Sequence, residues 1–142
     1  MDKIILSIQD ISCVGQCSLT VALPIISACG IETAILPGAL LSNHTASLYS
    51  GFTFKDLTEE MPKILERWNK ENIFFDAFYT GYVTKVQIPY ILEIMEKQQN
   101  QMLSELLIQL WQMREFYILD LMIIFQKKWQ NFVKELIIFF QI

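Results

Sequence analysis

Between Lys3 and Ile8 the chain carries a short run of β-branched and aliphatic residues that ends at polar Gln9 and Asp10. This is the pattern of a buried strand delivering a loop at its carboxyl end. That loop, Asp10 to Gln16, contains Gly15. Ser18 stands where a helix cap is wanted, apolar positions run on through Leu23 to Ala28, and Gly30 occupies the usual place just past a helix end. Pro24 sits awkwardly in the early middle of this helix. Ile31 to Leu36 predicts a second strand. Strand, helix and strand at this spacing predict a βαβ unit with a right-handed crossover and a parallel sheet.

From Pro37 to Thr53 periodicity is lost and Gly38, Ser42, Asn43, His44 and Gly51 enter, which predicts a long loop or flap of the kind that usually carries function. Thr58 opens a helix to about Lys70, apolar at Met61, Ile64, Leu65 and Trp68 on one face. Phe74 to Tyr79 predicts a third strand, ending in Thr80, Gly81 and Tyr82. Val86 to Gln98 predicts a further amphipathic helix with the stripe Ile88, Ile91, Leu92 and Met95. Up to about Glu96 the order is that of a doubly wound α/β domain. From Gln98 to Ile142 there is no Gly and no Pro, and charged or amide residues interrupt every strand-like stretch at no consistent period. The organisation this predicts is 1–96 as an α/β domain and 97–142 as an aberrant helical tail.

A chain of 142 residues that is 53% hydrophobic and 18% charged is apolar enough to form a core. The net charge of −4 and the lack of any Lys/Arg cluster exclude a nucleic-acid-binding surface. Glu105, Arg114, Glu115, Asp120 and Lys134 break the long apolar stretches of the tail, which argues against a membrane span. Gln9 and Asp10 interrupt the first apolar run too early for a secretory leader, so the expected location is the cytoplasm. Cys13, Cys17 and Cys29 are odd in number and joined by a single His, His44. Buried free thiols, not a metal site, are the expectation.

Three motifs carry a family resemblance. The run Ile5-Leu6-Ser7-Ile8-Gln9-Asp10-Ile11-Ser12-Cys13-Val14-Gly15-Gln16-Cys17-Ser18 resembles the N-terminal segment of bacterial pyridoxal/pyridoxamine kinases of the ribokinase-like superfamily. Ser42-Asn43-His44-Thr45 resembles their second motif and Thr80-Gly81-Tyr82 their third, and the similarity runs from Lys3 to about Glu96. The resemblance implies the N-terminal part of a ribokinase-like three-layer sandwich with a parallel sheet. It further implies transfer of the ATP γ-phosphoryl, with Mg2+, to the 5′-hydroxyl of pyridoxal, pyridoxamine or pyridoxine, in an enzyme that is generally a homodimer. Carried over by position, Asp10 meets the polar edge of the pyridine ring, Val14 lies against the ring, His44 and Thr45 line the vitamin site, and Tyr82 stands at the strand end beside it. A flat aromatic ligand wants apolar walls and a few placed polar groups, and open α/β sheets bind ligands at strand ends. Ala46, where the family commonly has Gly, is the one departure among these motifs. Taken singly, Asp10 is an ordinary turn residue, His44 a solvated histidine and Tyr82 a half-buried aromatic; their joint placement is what points to a site.

Phosphoryl transfer needs a group that deprotonates or orients the hydroxyl, anion-hole amides and carboxylates for magnesium. In ribokinase-like enzymes these come from a late G-x-G-D segment and a middle D-P-V-M-G-D segment. The five glycines here, Gly15, Gly30, Gly38, Gly51 and Gly81, cannot assemble G-x-G-D, so no catalytic Asp is assigned. Where the middle motif is due, the chain reads Leu107 to Tyr117. Taking the last base of each codon with the first two of the next, those codons permit D-P-V-M-A-D-A-G-(I/V)-L-Y. Continued to Ile142, the same register permits S-G-F-D-D-N-F-S-K-E-M-A-K-L-C-K-R-A-D-Y-I-L-P-N. A frameshift between roughly Glu96 and Met102 is therefore expected, leaving a truncated, inactive chain that is marginal in stability, prone to association, binds ATP and Mg2+ poorly, and binds vitamin B6 weakly or not at all. Two other readings stay open: a vitamin B6-binding remnant, and a helical interaction protein whose tail presents Met102, Leu106, Leu110, Met113 and Tyr117 as one stripe.

Overall fold

The computed structural model describes residues 3–45, 49–99 and 107–108. Its elements are β1 (Ile4–Ser12), α1 (Leu19–Ala28), β2 (Glu32–Leu41), β3 (Phe54–Asp56), a 3-10 turn (Thr58–Glu60), α2 (Met61–Glu71), β4 (Ala77–Thr80), α3 (Ile88–Gln98) and β5 (Leu107–Ile108). They form one sheet in the order β3-β2-β1-β4-β5. β1 pairs in parallel with β2 on one side, from Ile4 opposite Glu32, and with β4 on the other, from Ile5 opposite Ala77. The chain falls into two compact units, Met1–Ile108 and Gln109–Ile142, and the described residues all belong to the first.

The sheet is larger than the three parallel strands expected. β3 joins β2 antiparallel, with Ala39 opposite Asp56 and Leu41 opposite Phe54. β5 adds a parallel partner to β4, with Tyr79 opposite Leu107, so these two tail residues are strand where a helical tail was expected. β2 runs five residues beyond Leu36, through Pro37 and Gly38, which had marked the start of a loop. The reason is a local irregularity: Gln9 lies opposite Pro37 but Ile11 lies opposite Leu40. A bulge of this kind absorbs residues that a regular ladder would reject. The Gly38 carbonyl accepts from the Leu57 N–H at 3.0 Å and from Gln87 Nε2 at 2.8 Å.

The chain moves from β1 to β2 and then back past β1 to β4; right-handed crossovers, the rule for parallel strands, require α1 and α2 to lie on opposite faces. Trp68 of α2 meets Phe75 edge-on at 5.2 Å, and Phe75 meets Phe78 of β4 at 6.0 Å. Leu6, Ile8, Leu36, Met61, Phe75, Phe78 and Ile94 are sealed in the core. The predicted stripes hold at Met61 and Leu65 of α2 and at Ile91 and Met95 of α3. Gly30 follows the end of α1 with φ +78°, the conformation that favours glycine there. The three cysteines are free, but Cys13 and Cys29 are exposed and Cys17 is half-buried, which corrects the expectation of buried thiols. They lie in the β1–α1 loop and at the end of α1.

Candidate functional site

The chain reverses direction in the sheet between β1 and β4, and in open α/β sheets that switch point, at the carboxyl ends of the strands, is where ligands bind. Asp10 sits near the carboxyl end of β1, and Gly81 and Tyr82 follow the end of β4. The two ends are tied where the Gly81 N–H donates to the Ile8 carbonyl at 3.1 Å.

Asp10 is buried and belongs to the strand itself, not to the loop after it. Ser18 Oγ donates to its Oδ1 at 2.7 Å. Ser18 is the residue expected to cap α1, and it does stand at the N-cap, but its side chain makes no bond to the helix N–H groups. It also holds φ 54° and ψ −125°, a backbone conformation that side-chain-bearing residues rarely adopt. The start of the helix is closed instead by Thr20, whose hydroxyl accepts from the Cys17 N–H at 3.0 Å and donates to the Cys17 carbonyl at 2.8 Å.

The β1–α1 loop and the flap after β2 touch. The His44 N–H donates to the Val14 carbonyl at 2.8 Å, and the Cys13 N–H to the Leu41 carbonyl at 2.9 Å. Gly15, at φ +83°, lies so close to the flap that a Cβ there would stand 2.9 Å from His44 Cβ and 3.6 Å from Tyr49 Oη. The flap base is knitted by Ser42 and Asn43: Ser42 Oγ donates to Asn43 Oδ1 and accepts from the Thr53 N–H, while Asn43 Nδ2 donates to the Gly51 carbonyl. The structure thus brings Val14 and His44 together, with Thr45 next in the chain and exposed. Val14 is 56% exposed and Tyr82 41%, so both present apolar surface to an open space. Ala46, the departure noted in the flap motif, lies outside the described residues.

Several residues at this edge were not singled out from sequence. Gln9 is buried, its amide donates to Ser7 Oγ at 2.9 Å, and it leaves room for nothing beyond hydrogen at Gly81, where a Cβ would stand 2.7 Å from Gln9 Cδ. The buried hydroxyls of Ser12 and Thr80, at the ends of β1 and β4, have no hydrogen-bond partner among the described residues. Such orphaned groups cost free energy and call for an explanation. Burial pushes the Tyr79 hydroxyl pKa up, so it stays a neutral phenol.

Behind the site a second network fixes the framework. Gln87, buried ahead of α3, donates to the Gly38 carbonyl and to Thr58 Oγ1 at 3.0 Å, and accepts from the Thr84 N–H at 3.0 Å. Thr58 in turn gives both its N–H, at 2.8 Å, and its hydroxyl, at 2.5 Å, to Asp56 Oδ1. These bonds from Thr58 hold the Asp56 carboxyl below the ordinary carboxylate range, with smaller help from Gln87 and Lys55. One amide side chain therefore joins the β2 bulge, the turn before α2 and the segment before α3.

No family model and no curated protein sequence matches the chain. Solved structures do. A protein of Bacteroides thetaiotaomicron described as a phosphomethylpyrimidine kinase and crystallised with pyridoxal is 41% identical with a TM-score of 0.68, over 78% of this chain and 37% of its own. Pyridoxal kinase from Lactobacillus plantarum is 32% identical with a TM-score of 0.71, over 81% of this chain and 41% of its own. The chain belongs to the ribokinase-like superfamily. Pyridoxal kinase from Leishmania donovani, in complex with ADP and pyridoxamine, shares the fold at 23% identity and a TM-score of 0.63, over 77% of this chain and 39% of its own. The chain thus spans about two fifths of the length of the ribokinase-like structures it matches.

Magnesium and ATP are the groups this ribokinase-like ancestry implies. Among the described residues no three of His, Cys, Asp and Glu gather into a metal-holding group, and none of the glycines builds a G-x-G-D anion hole. Among the described residues no helix is long and apolar enough to cross a membrane.

Proposed function

We infer that the chain carries the vitamin-binding half of a pyridoxal/pyridoxamine kinase, the enzyme class that moves the ATP γ-phosphoryl to the 5′-hydroxyl of a B6 vitamer. The observation that supports this reading is the pair of backbone ties at the carboxyl end of β1, where the strand order reverses: the His44 N–H to the Val14 carbonyl, and the Gly81 N–H to the Ile8 carbonyl. In it Asp10 accepts from the polar edge of the pyridine ring, Val14 covers a ring face, His44 and Thr45 close the flap side, and Tyr82 closes the β4 side. The pyridoxal present in the 41%-identical Bacteroides structure supports that ligand class. The setting is cytoplasmic, and exposed Phe54 on the edge strand β3 supports a homodimer.

The transfer step itself is assigned to a longer reading frame. The catalytic Asp of G-x-G-D is not among these residues, and the codons from Leu107 onward permit D-P-V-M-A-D in the shifted register. A frameshift between about Glu96 and Met102 accounts for both, and makes 97–142 an out-of-frame tail on a retained vitamin site.

Two measurements test the reading. Sequencing the locus across the codons for Glu96 to Met102 is expected to reveal one inserted or deleted base; an intact frame sinks the frameshift. Titrating pyridoxal into the 142-residue chain is expected to raise its thermal midpoint, since a ligand at 100-fold its Kd stabilises by about 2.7 kcal/mol. Asp10→Ala should remove that shift, and an unchanged shift in this variant would take Asp10 out of the site.

A further inference from the structure

The hydroxyl of Ser18 is in an unusual position for an N-cap serine. Such a serine ordinarily spends its oxygen as an acceptor for the N–H groups of the first helical turn. This one instead donates to Asp10 Oδ1 at 2.7 Å, across eight residues of sequence. It does so from φ 54° and ψ −125°, a conformation that is strained in a residue with a side chain. The two departures explain each other. With ordinary cap geometry the hydroxyl would turn toward its own helix; the positive φ turns it toward the end of β1. Ser18 also bridges to Ile11 in antiparallel fashion, which holds the backbone in that turn. Both the helix cap and the relaxed backbone are given up, and what is obtained is one charge-assisted hydrogen bond on one carboxylate oxygen.

We propose that Ser18 is a positioning residue for ligand recognition: it locks the Asp10 carboxylate so that Oδ2 is presented to a hydrogen-bond donor of the bound ring. This rests on the reading of Asp10 as a ligand-contacting residue. Among the described residues Oδ2 has no partner, whereas Oδ1 is engaged. An ionised carboxylate is acceptor-only, and the single Ser18 proton has Oδ1 at 2.7 Å as its strong acceptor, with the weaker Cys17 Sγ at 3.7 Å. The site therefore offers an acceptor and no hydroxyl donor at this point. The ligand must bring the proton, as a ring hydroxyl or a protonated ring nitrogen does.

The test compares Ser18→Ala, Ser18→Gly and Ser18→Asn in the full chain, with pyridoxal as the titrant, and measures the thermal midpoint of each free protein beside its Kd. Glycine removes the hydroxyl and relieves the backbone; alanine removes the hydroxyl and keeps the strain; asparagine tolerates positive φ and restores a donor in its amide. The expected result is binding about tenfold weaker in both Ala and Gly variants, the effect of one charge-assisted bond, with substantial recovery in Asn. The Gly variant is expected to match or exceed the wild-type midpoint, which separates lost binding from lost folding. Wild-type Kd in the Gly variant, with binding abolished by Asp10→Ala, would overturn the role of Ser18 and leave the vitamin-site reading standing. Wild-type Kd in Asp10→Ala, or no binding by the wild-type chain, would overturn both.

Discussion

Asp56 with Thr58 and Asp10 with Ser18 are the same pairing of a carboxylate and a hydroxyl, put to different use. In the first the partners are two residues apart, and Thr58 gives both backbone N–H and hydroxyl to one oxygen, closing the turn that starts α2. In the second they are eight apart, the hydroxyl makes no bond to its own helix, and the backbone sits at positive φ to reach. The first pair lowers the free energy of local structure and is backed by Gln87. The second gives up local stability to orient a single carboxylate at the switch point. Sites that break a local rule without local compensation are where function is sought, and here the contrast lies within one sheet.

Four substitutions sharpen that contrast, in falling order of effect. Gln87→Ala strips partners from the Gly38 carbonyl, the Thr84 N–H and Thr58 at once. Chemical denaturation should show a loss of about 3 kcal/mol, the scale of buried polar groups left unpaired; a loss under half that size would mean that water replaces the amide. Gly81→Ala forces a methyl group onto the buried Gln9 side chain. Overpacking of this kind costs about 1–3 kcal/mol, and the same variant should weaken pyridoxal binding by displacing Tyr82.

Asp56→Ala should cost about 1 kcal/mol, the ordinary net worth of a lost hydrogen bond. Its pH dependence has a definite sign. The folded-state pKa of Asp56 lies below the ordinary 3.8, so the stabilisation is complete above that value and disappears as pH falls through the lower folded-state value. Melting curves of wild type and variant should therefore differ at neutral pH and converge only in strong acid. Ser18→Gly stands at the other end: a stability change close to zero or favourable, because relief of the backbone offsets the lost bond. A large destabilisation there would show Ser18 to be a structural cap like Asp56 and Thr58, and the contrast between the two pairs would collapse.

Elements with strong periodicity were legible in the chain before its structure. The stripes of α2 and α3 rest on Met61, Leu65, Ile91 and Met95, and Gly30 marks the end of α1. What escaped depends on distant partners. Pro37 and Gly38 read as breakers, yet β2 passes through them because β3 and Gln87 take up the bulge. Gln87 itself is one polar residue at the edge of an amphipathic run, and its partners lie 29 and 49 residues away. The candidate site was legible as motifs; the structure ties the Val14 loop to the flap at His44 and the end of β1 to Gly81 after β4. Ser18 was legible only as a cap, since nothing local indicates that its hydroxyl turns to Asp10.

The central place of β1 also has a consequence in time. Its first amide is held by a carboxylate 72 residues further on, where Ile4 N–H meets Asp76 Oδ2 at 2.8 Å, and Asp76 returns the bond to the Ile4 carbonyl. At a synthesis rate of roughly 5–20 residues per second, the first strand made waits several seconds for its second neighbour. During that interval Ile4 to Ile8 can pair only with β2, and the flank that β4 will cover is an open edge in the nascent chain.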